Sequence, residues 1–227
     1  QIQIGQQNIV LSGLVMNANT PYSILDAARM LGRLDAGFWR GLVWSARSRL
    51  DVIPAPSKRP AKEPVAPQQV REVLRFLRLQ YGWLVADLGR NLNSFSRVLL
   101  DDFDEVFLVS STDVPALFRA KLIVKSLLRS NYNDRRLRLI LNRVSKRTPF
   151  TLKEAQNLLG LPVYAELPDR PELEQAGAQG RLVAAESVSG KRLMELAMRV
   201  ANAQVVEVTD GYSILGLKKV APGWLRV

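Results

Sequence analysis

Asp87 closes the apolar run Trp83-Leu84-Val85-Ala86 and is followed directly by Leu88-Gly89. A carboxylate placed there can orient the water shell of a magnesium–nucleotide complex, or it can be a polar residue that merely closes a strand. Asn142-Arg143 follows the run Leu137–Leu141 in the same way. The Asn142 amide could meet both a donor and an acceptor edge of an adenine ring, or only turn the chain. Pro168-Asp169 closes Val163–Leu167, where a proline ordinarily ends a strand. Ser189-Gly190-Lys191 superficially resembles a phosphate loop. The pattern G-x-x-x-x-G-K-[ST] requires glycine at 185 and Ser or Thr at 192, and the chain has Ala185 and Arg192, so we reject it.

A different group of residues is basic. Read as a helix, residues 115–130 put Leu117, Ala120, Ile123, Val124, Leu127 and Leu128 on one arc, with Arg119, Lys121, Lys125 and Arg129 on the other. Arg135, Arg136 and Arg138 follow closely, and Arg119–Arg147 holds ten basic residues against one acid, Asp134. Such a face is either simply solvated or meets phosphate groups, an acidic partner or anionic lipid.

Composition limits the chemistry further. The 227 residues include no cysteine and no histidine, and carry a net charge of +11. Disulfides, thiolate metal sites, cysteine nucleophiles, His-based metal sites and Ser-His-Asp hydrolysis are thereby excluded. Carboxylates, Lys or Arg, hydroxyls and a bound Mg²⁺–nucleotide complex remain. No apolar run approaches the roughly 18 residues of a membrane-spanning helix, and the first ten residues lack the order of a secretion signal.

These residues need a scaffold, and the apolar pattern supplies one. Residues 1–4 alternate as a short strand. A helix is expected from about Pro21, capped by Thr20, to Leu31 and stopped by Gly32; another should span Ala36–Ala46 and turn Phe38, Leu42 and Val43 inward. Leu50–Pro54 reads as a buried strand, and 54–68, with five prolines, as a solvated connector. Val70, Val73, Leu74 and Leu77 mark the inner face of a helix. The runs 83–87, 106–110, 137–141 and 163–167 read as strands. They are separated by helices near 95–103, 115–130 and 152–159, the last boxed by Thr151 and Glu154 and ended by Gly160. Nearly all-apolar strands alternating with helices predict an α/β fold: a doubly wound, mostly parallel sheet with helices on both faces. Its ligand crevice would lie at the carboxyl ends of the strands. After a helix near 189–203, Val205–Val208 and Tyr212–Leu217 flank Asp210-Gly211 as a hairpin. We therefore expect an α/β domain over 1–203 and a hairpin or tail over 204–227.

In this order, WLVADLGR, VFLVSSTDVPALFRAKLIVKSLL, LRLILNRVSKR and LGLPVYAELPDRPELEQAGAQGRLVAAE resemble the second half of the MinD/ParA-like deviant Walker ATPases, with a P-loop NTPase-like fold. Within them the chain is most similar to the tight-adherence pilus-assembly branch, TadZ/CpaE, which the segment NTPYSILDAARMLGRLDAGFWRGLV also resembles. The resemblance covers roughly residues 1–203. It implies ATP and Mg²⁺ as cofactors at a homodimer interface, with Asp87 as the metal-side carboxylate. Asn142 would be the adenine-reading amide with Arg143 its cofactor-side neighbour in the same motif, and Pro168 and Asp169 would form the loop near the base. Gln1 and Gln3 stand where the family shows an acidic strand end, and no Gly-rich loop with its lysine precedes them in the sequence. Weak nucleotide binding, or binding only with a further N-terminal segment, is the expectation, and no catalytic residue is assigned. The implied role is an ATP-binding or pseudo-ATPase protein in localisation and assembly of a tight-adherence pilus or secretion system. It would be cytoplasmic or peripheral at the inner membrane or cell pole. The alternative is a ParA-like partition protein that binds DNA nonspecifically. In either case Arg119, Lys121, Lys125, Arg129, Arg135 and Arg136 are the candidate partner-binding residues.

Overall fold

A computed structural model describes residues 2–4, 7–10, 20–47, 50–55, 64–89, 92, 94–145 and 149–209. The strands are β1 (Ile2–Ile4), β2 (Gln7–Val10), β3 (Trp44–Arg47), β4 (Leu50–Val52), β5 (Leu84–Val85), β6 (Val106–Ser111), β7 (Leu137–Val144) and β8 (Val163–Pro168). The helices are α1 (Ile24–Arg29), α2 (Ala36–Leu42), α3 (Pro67–Gln80), α4 (Ser94–Leu100), α5 (Val114–Arg129), α6 (Leu152–Leu159), α7 (Pro171–Ala178) and α8 (Val188–Thr209). The chain divides into two compact units, Gln1–Val183 and Ala184–Val227. Among the described residues no helix is long and apolar enough to cross a membrane.

The larger unit carries the expected α/β architecture. β6, β7 and β8 form a parallel sheet in that order, with Val106 opposite Leu137 and Leu139 opposite Val163. A second sheet has the order β1-β2-β4-β3, with β5 also on β2; β4 and β5 both run parallel to β2. Among the described residues, antiparallel pairing is confined to β1 with β2 and β3 with β4. Helices connect the parallel strands because a parallel crossover needs a dozen or more residues.

Two apolar cores follow from the helix faces. Val70, Val73, Leu74 and Leu77 are buried as their spacing predicts, and pack with Ala27, Ala28, Trp39, Leu42, Ile53 and Leu99. Leu117, Ala120, Val124 and Leu127 of α5 pack with Leu137, Leu139 and Leu141 of β7 and with Ala155 and Leu159 of α6. Adjacent residues of α4, Leu99 and Leu100, contribute one to each core. α6 starts and stops as expected. The Thr151 amide donates to Glu154 Oε2 at 2.8 Å, the Glu154 amide donates to Thr151 Oγ1 at 3.3 Å, and Gly160 ends the helix at φ +68°.

Several expectations are corrected. Ser23, not Thr20, starts α1: its amide donates to Asp26 Oδ2 at 2.9 Å, while Thr20 donates to the Leu42 carbonyl. α1 ends at Arg29, and Gly32 sits inside a 3-10 turn, Leu31–Arg33, instead of stopping the helix. α2 ends at Leu42 because Val43 is extended and leads into β3, which pairs with β4. Leu42 is buried as expected, but its innermost companion is Trp39, also at 2% exposure, with Phe38 only half-buried. In α5, Leu128 lies exposed, off the buried stripe. β5 is shorter than the run 83–87, and Val85 is exposed. Residues 171–178 form α7, which the sequence pattern missed.

Val205–Val208 continue α8 to Thr209 and do not form the first strand of a hairpin. Extending an existing helix adds a hydrogen bond per residue, whereas the lower helix propensity of valine costs only tenths of a kcal/mol. Residues 212–217, the expected second strand, lie outside the described residues, as do most of the connector and the basic pair Lys146 and Arg147.

Candidate nucleotide-binding edge

The carboxyl ends of β6, β7 and β8 bring the expected residues together. Register sets Ser111 opposite Asn142, and Val144 opposite Pro168. The Asp169 amide donates to the Val144 carbonyl at 3.0 Å, tying the loop after β8 to the end of β7. Asn142, Arg143, Pro168 and Asp169 thus occupy one edge of one sheet. Asn142 and Pro168 are half-buried, while Arg143 and Asp169 are exposed.

Arg143 is the unusual residue of the group. It adopts φ +56°, and the pairing of β7 with β8 shifts register between Leu141 and Val144 around it. A bulky side chain in the left-handed region is uncommon and costs of order 1–3 kcal/mol, so such positions tend to lie at ligand sites. Two contacts hold the conformation. The Arg143 amide donates to Asn142 Oδ1 at 2.9 Å, and Arg143 Nη2 pairs with Glu174 Oε1 of α7 at 2.8 Å. The Asn142 Oδ1 is thus engaged within the turn. Replacing Arg143 with glycine should raise stability by about 0.5–1 kcal/mol, since glycine takes φ > 0 without strain and an exposed ion pair contributes little. Urea denaturation of the two proteins checks this. A lower midpoint in the variant would mean that the Glu174 contact outweighs the backbone strain.

Asp87 follows β5 in the other sheet and is exposed. Its Oδ1 accepts from the Gly89 amide at 2.8 Å, in a turn that Gly89 completes at φ +77°. Among the described residues no group of three or more acidic side chains gathers to hold a metal by protein ligands alone. Magnesium keeps most of its waters and commonly takes one or two carboxylates plus substrate phosphates. A single carboxylate therefore fits this ion.

Sequence reasoning overlooked Ser111 and Asp113 at the same edge. Asp113 caps α5 by accepting from the Ala116 amide at 3.0 Å, and the Ser111 hydroxyl donates to its other oxygen. The Ser111 bond first, then the Ala116 amide, hold the Asp113 carboxyl below its ordinary range. The signal was present as Asp113-Val-Pro115, an acid before a proline in the first turn. Glu174 had no such mark, because only the fold brings it to Arg143.

The candidate basic residues do not form one site at this edge. Arg119 lies towards the crevice end of α5. Arg129, Arg135 and Arg136 lie near the opposite end, where the chain enters β7 through a 3-10 turn at Asp134–Arg136. Arg119, Lys125, Arg129, Arg135 and Arg136 are exposed, and Lys121 is half-buried. Arg138 is occupied: it pairs with Glu105 at 3.0 Å and lies over the Tyr164 ring at 5.9 Å.

Comparison with known proteins agrees with this architecture. No family model matches the chain. The septum site-determining protein MinD of Thermotoga maritima is 23% identical over 158 residues, which is 66% of this chain; the match spans 58% of that protein's length. The solved structure of a ParA family ATPase from Chlorobium tepidum superposes with a TM-score of 0.77 at 20% identity, covering 85% of each chain. MinD from Pyrococcus horikoshii, solved with Mg-ADP, gives a TM-score of 0.71 at 16% identity, covering 92% of this chain and 88% of that one. The chain has the α/β, P-loop NTPase-like fold of the MinD and ParA ATPases.

Proposed function

We propose that this chain is a nucleotide-responsive positioning protein, acting as a homodimer in the localisation and assembly of a tight-adherence pilus or secretion system. The nucleotide response is supported by the joint placement of Asn142, the strained Arg143, Pro168 and Asp169 at one strand edge, and the assembly role by the resemblance of the sequence to the TadZ/CpaE branch. The fold is shared with a MinD that holds Mg-ADP. Asn142 and the Pro168-Asp169 loop would face the base, and Asp87 would face the water shell of Mg²⁺. Bound Mg²⁺ supplies neutralisation of phosphate charge. No G-x-x-x-x-G-K-[ST] run is present to cradle those phosphates, so nucleotide binding by these residues alone is weak, about 10⁻⁴ to 10⁻³ M.

The test has two readouts. Calorimetric titration with Mg-ADP should give weak binding that Asn142→Ala reduces by about fivefold or more, the loss of a typical hydrogen bond. Deletion of the gene should abolish surface pili seen by electron microscopy, with the wild-type gene restoring them. Normal pili after deletion would sink the assembly role; identical titrations for wild type and Asn142→Ala would sink the base site. The cationic residues outside this edge support a second reading, nonspecific DNA binding, which is separated from another partner below.

A further inference from the structure

The outer face of α5 is both apolar and cationic. Its buried stripe, Leu117, Ala120, Val124 and Leu127, faces the core, yet Val114, Phe118 and Leu122 are 57%, 60% and 52% exposed. Spacings of four, four, three and four residues place Val114, Phe118, Leu122, Lys125 and Arg129 on a single ridge of the helix. At 16 residues the helix presents this ridge over about 24 Å. Arg119 lies beside the ridge, and Arg135 and Arg136 follow in the 3-10 turn between α5 and β7. Among the described residues no acid lies within ion-pair distance of Arg119, Lys125, Arg129, Arg135 or Arg136.

We infer that this ridge is a docking surface for an anionic lipid bilayer. Arg119, Lys125, Arg129, Arg135 and Arg136 outnumber the one acid of the stretch, Asp134, and call for a negatively charged occupant. A second copy of the same face is disfavoured, because it would set like charges against one another. Phosphates of nucleic acid would satisfy the cations but leave Phe118 and Leu122 in water. A peptide helix of complementary charge would need a groove for its apolar side, and α5 offers a bare helix face. A bilayer interface has both required layers: headgroup charge for the Lys and Arg tips, and acyl-chain boundary for shallow burial of Phe118, Leu122 and Val114. The surface uses neither Asp87 nor Asn142, so it stands or falls separately from the nucleotide site.

The test is sedimentation of the full chain with vesicles of phosphatidylcholine alone or mixed with phosphatidylglycerol, at low and raised salt. Wild type should bind the mixed vesicles, bind the neutral ones far less, and lose binding as salt rises. Lys125→Glu with Arg129→Glu should weaken binding by about thirtyfold or more, from about a fivefold loss per charge removed near an anionic surface. Phe118→Ser with Leu122→Ser should weaken it by about tenfold or more. All four side chains are exposed, so circular dichroism and the melting temperature should be unchanged. Three outcomes overturn the proposal: equal binding to neutral and mixed vesicles, no response to either double variant, or duplex DNA binding that responds to the charge reversals while vesicle binding is absent.

Discussion

Replacing Asp51 with alanine should lower stability by about 3 kcal/mol, a drop of roughly 6–12 °C in Tm for a chain of this size. Asp51 is 3% exposed, in the middle of β4. Its Oδ2 accepts from the Tyr81 hydroxyl at 2.8 Å, its Oδ1 accepts from the Ser45 hydroxyl at 2.6 Å, and the Trp39 indole donates to the Tyr81 oxygen at 2.5 Å. Removing the carboxylate strands the buried Tyr81 proton without an acceptor and opens space beside Trp39. Asp51→Asn keeps an acceptor oxygen for Tyr81 and should cost distinctly less. Equal melting temperatures for the wild-type and alanine proteins would show that the network adds nothing.

Tyr81 gives the same network a dependence on pH. Burial raises its phenol most, the Trp39 indole offsets this somewhat, and the Asp51 carboxylate raises it further; the net displacement is well above the ordinary tyrosine value. The folded state therefore holds the proton more tightly than the unfolded chain does. Its contribution is whole below about pH 10, the unfolded value, and is lost as pH rises beyond it. Tyr81→Phe should be destabilised at neutral pH and lose less stability than wild type between pH 10 and 11. Parallel alkaline slopes for the two proteins would contradict this.

The second large effect is a reversal of sign. Glycine to alanine inside a helix normally stabilises by about 1 kcal/mol. At Gly190, in the first turn of α8, an added Cβ would lie 2.0 Å from the Ala184 carbonyl oxygen and 2.9 Å from its carbon. Both are backbone atoms of the loop entering the helix, so no side chain can swing aside. The Ser187 hydroxyl, which accepts from the Gly190 amide at 3.0 Å and donates to the Ala184 carbonyl at 2.8 Å, fixes that approach. Overpacking of this kind costs about 1–3 kcal/mol or more, which outweighs the gain in helix propensity. Gly190→Ala should therefore be less stable by at least about 1 kcal/mol in urea denaturation. Unchanged or higher stability would mean that the loop is free to move away. The residue attracted notice in the sequence as part of a false phosphate loop; the structure gives the glycine a packing reason.

The sequence by itself determined the alternation of strand and helix, the buried faces of α3 and α5, and the box and stop of α6. These depend on apolar periodicity and on bonds within four residues, both legible along the chain. It also placed Asn142, Arg143, Pro168 and Asp169 at the carboxyl ends of strands, although β7 continues past the apolar run, through Asn142 and Arg143, to Val144. Their assembly into one edge required the register of β7 with β8. The positive φ of Arg143 required the bulge there, and Glu174 became its partner only through α7. The same holds for Asp51, which sequence reading treated as one residue of a buried strand: its partners are Ser45 of β3 and Tyr81, which directly follows α3. Nor could periodicity show that α5 leaves Phe118 and Leu122 in water, because a helix pattern marks which residues can share a face but not how much of that face its neighbours cover. Local hydrogen bonds and apolar spacing are written in short stretches of chain, whereas burial, register and long-range pairing exist only after distant segments have packed.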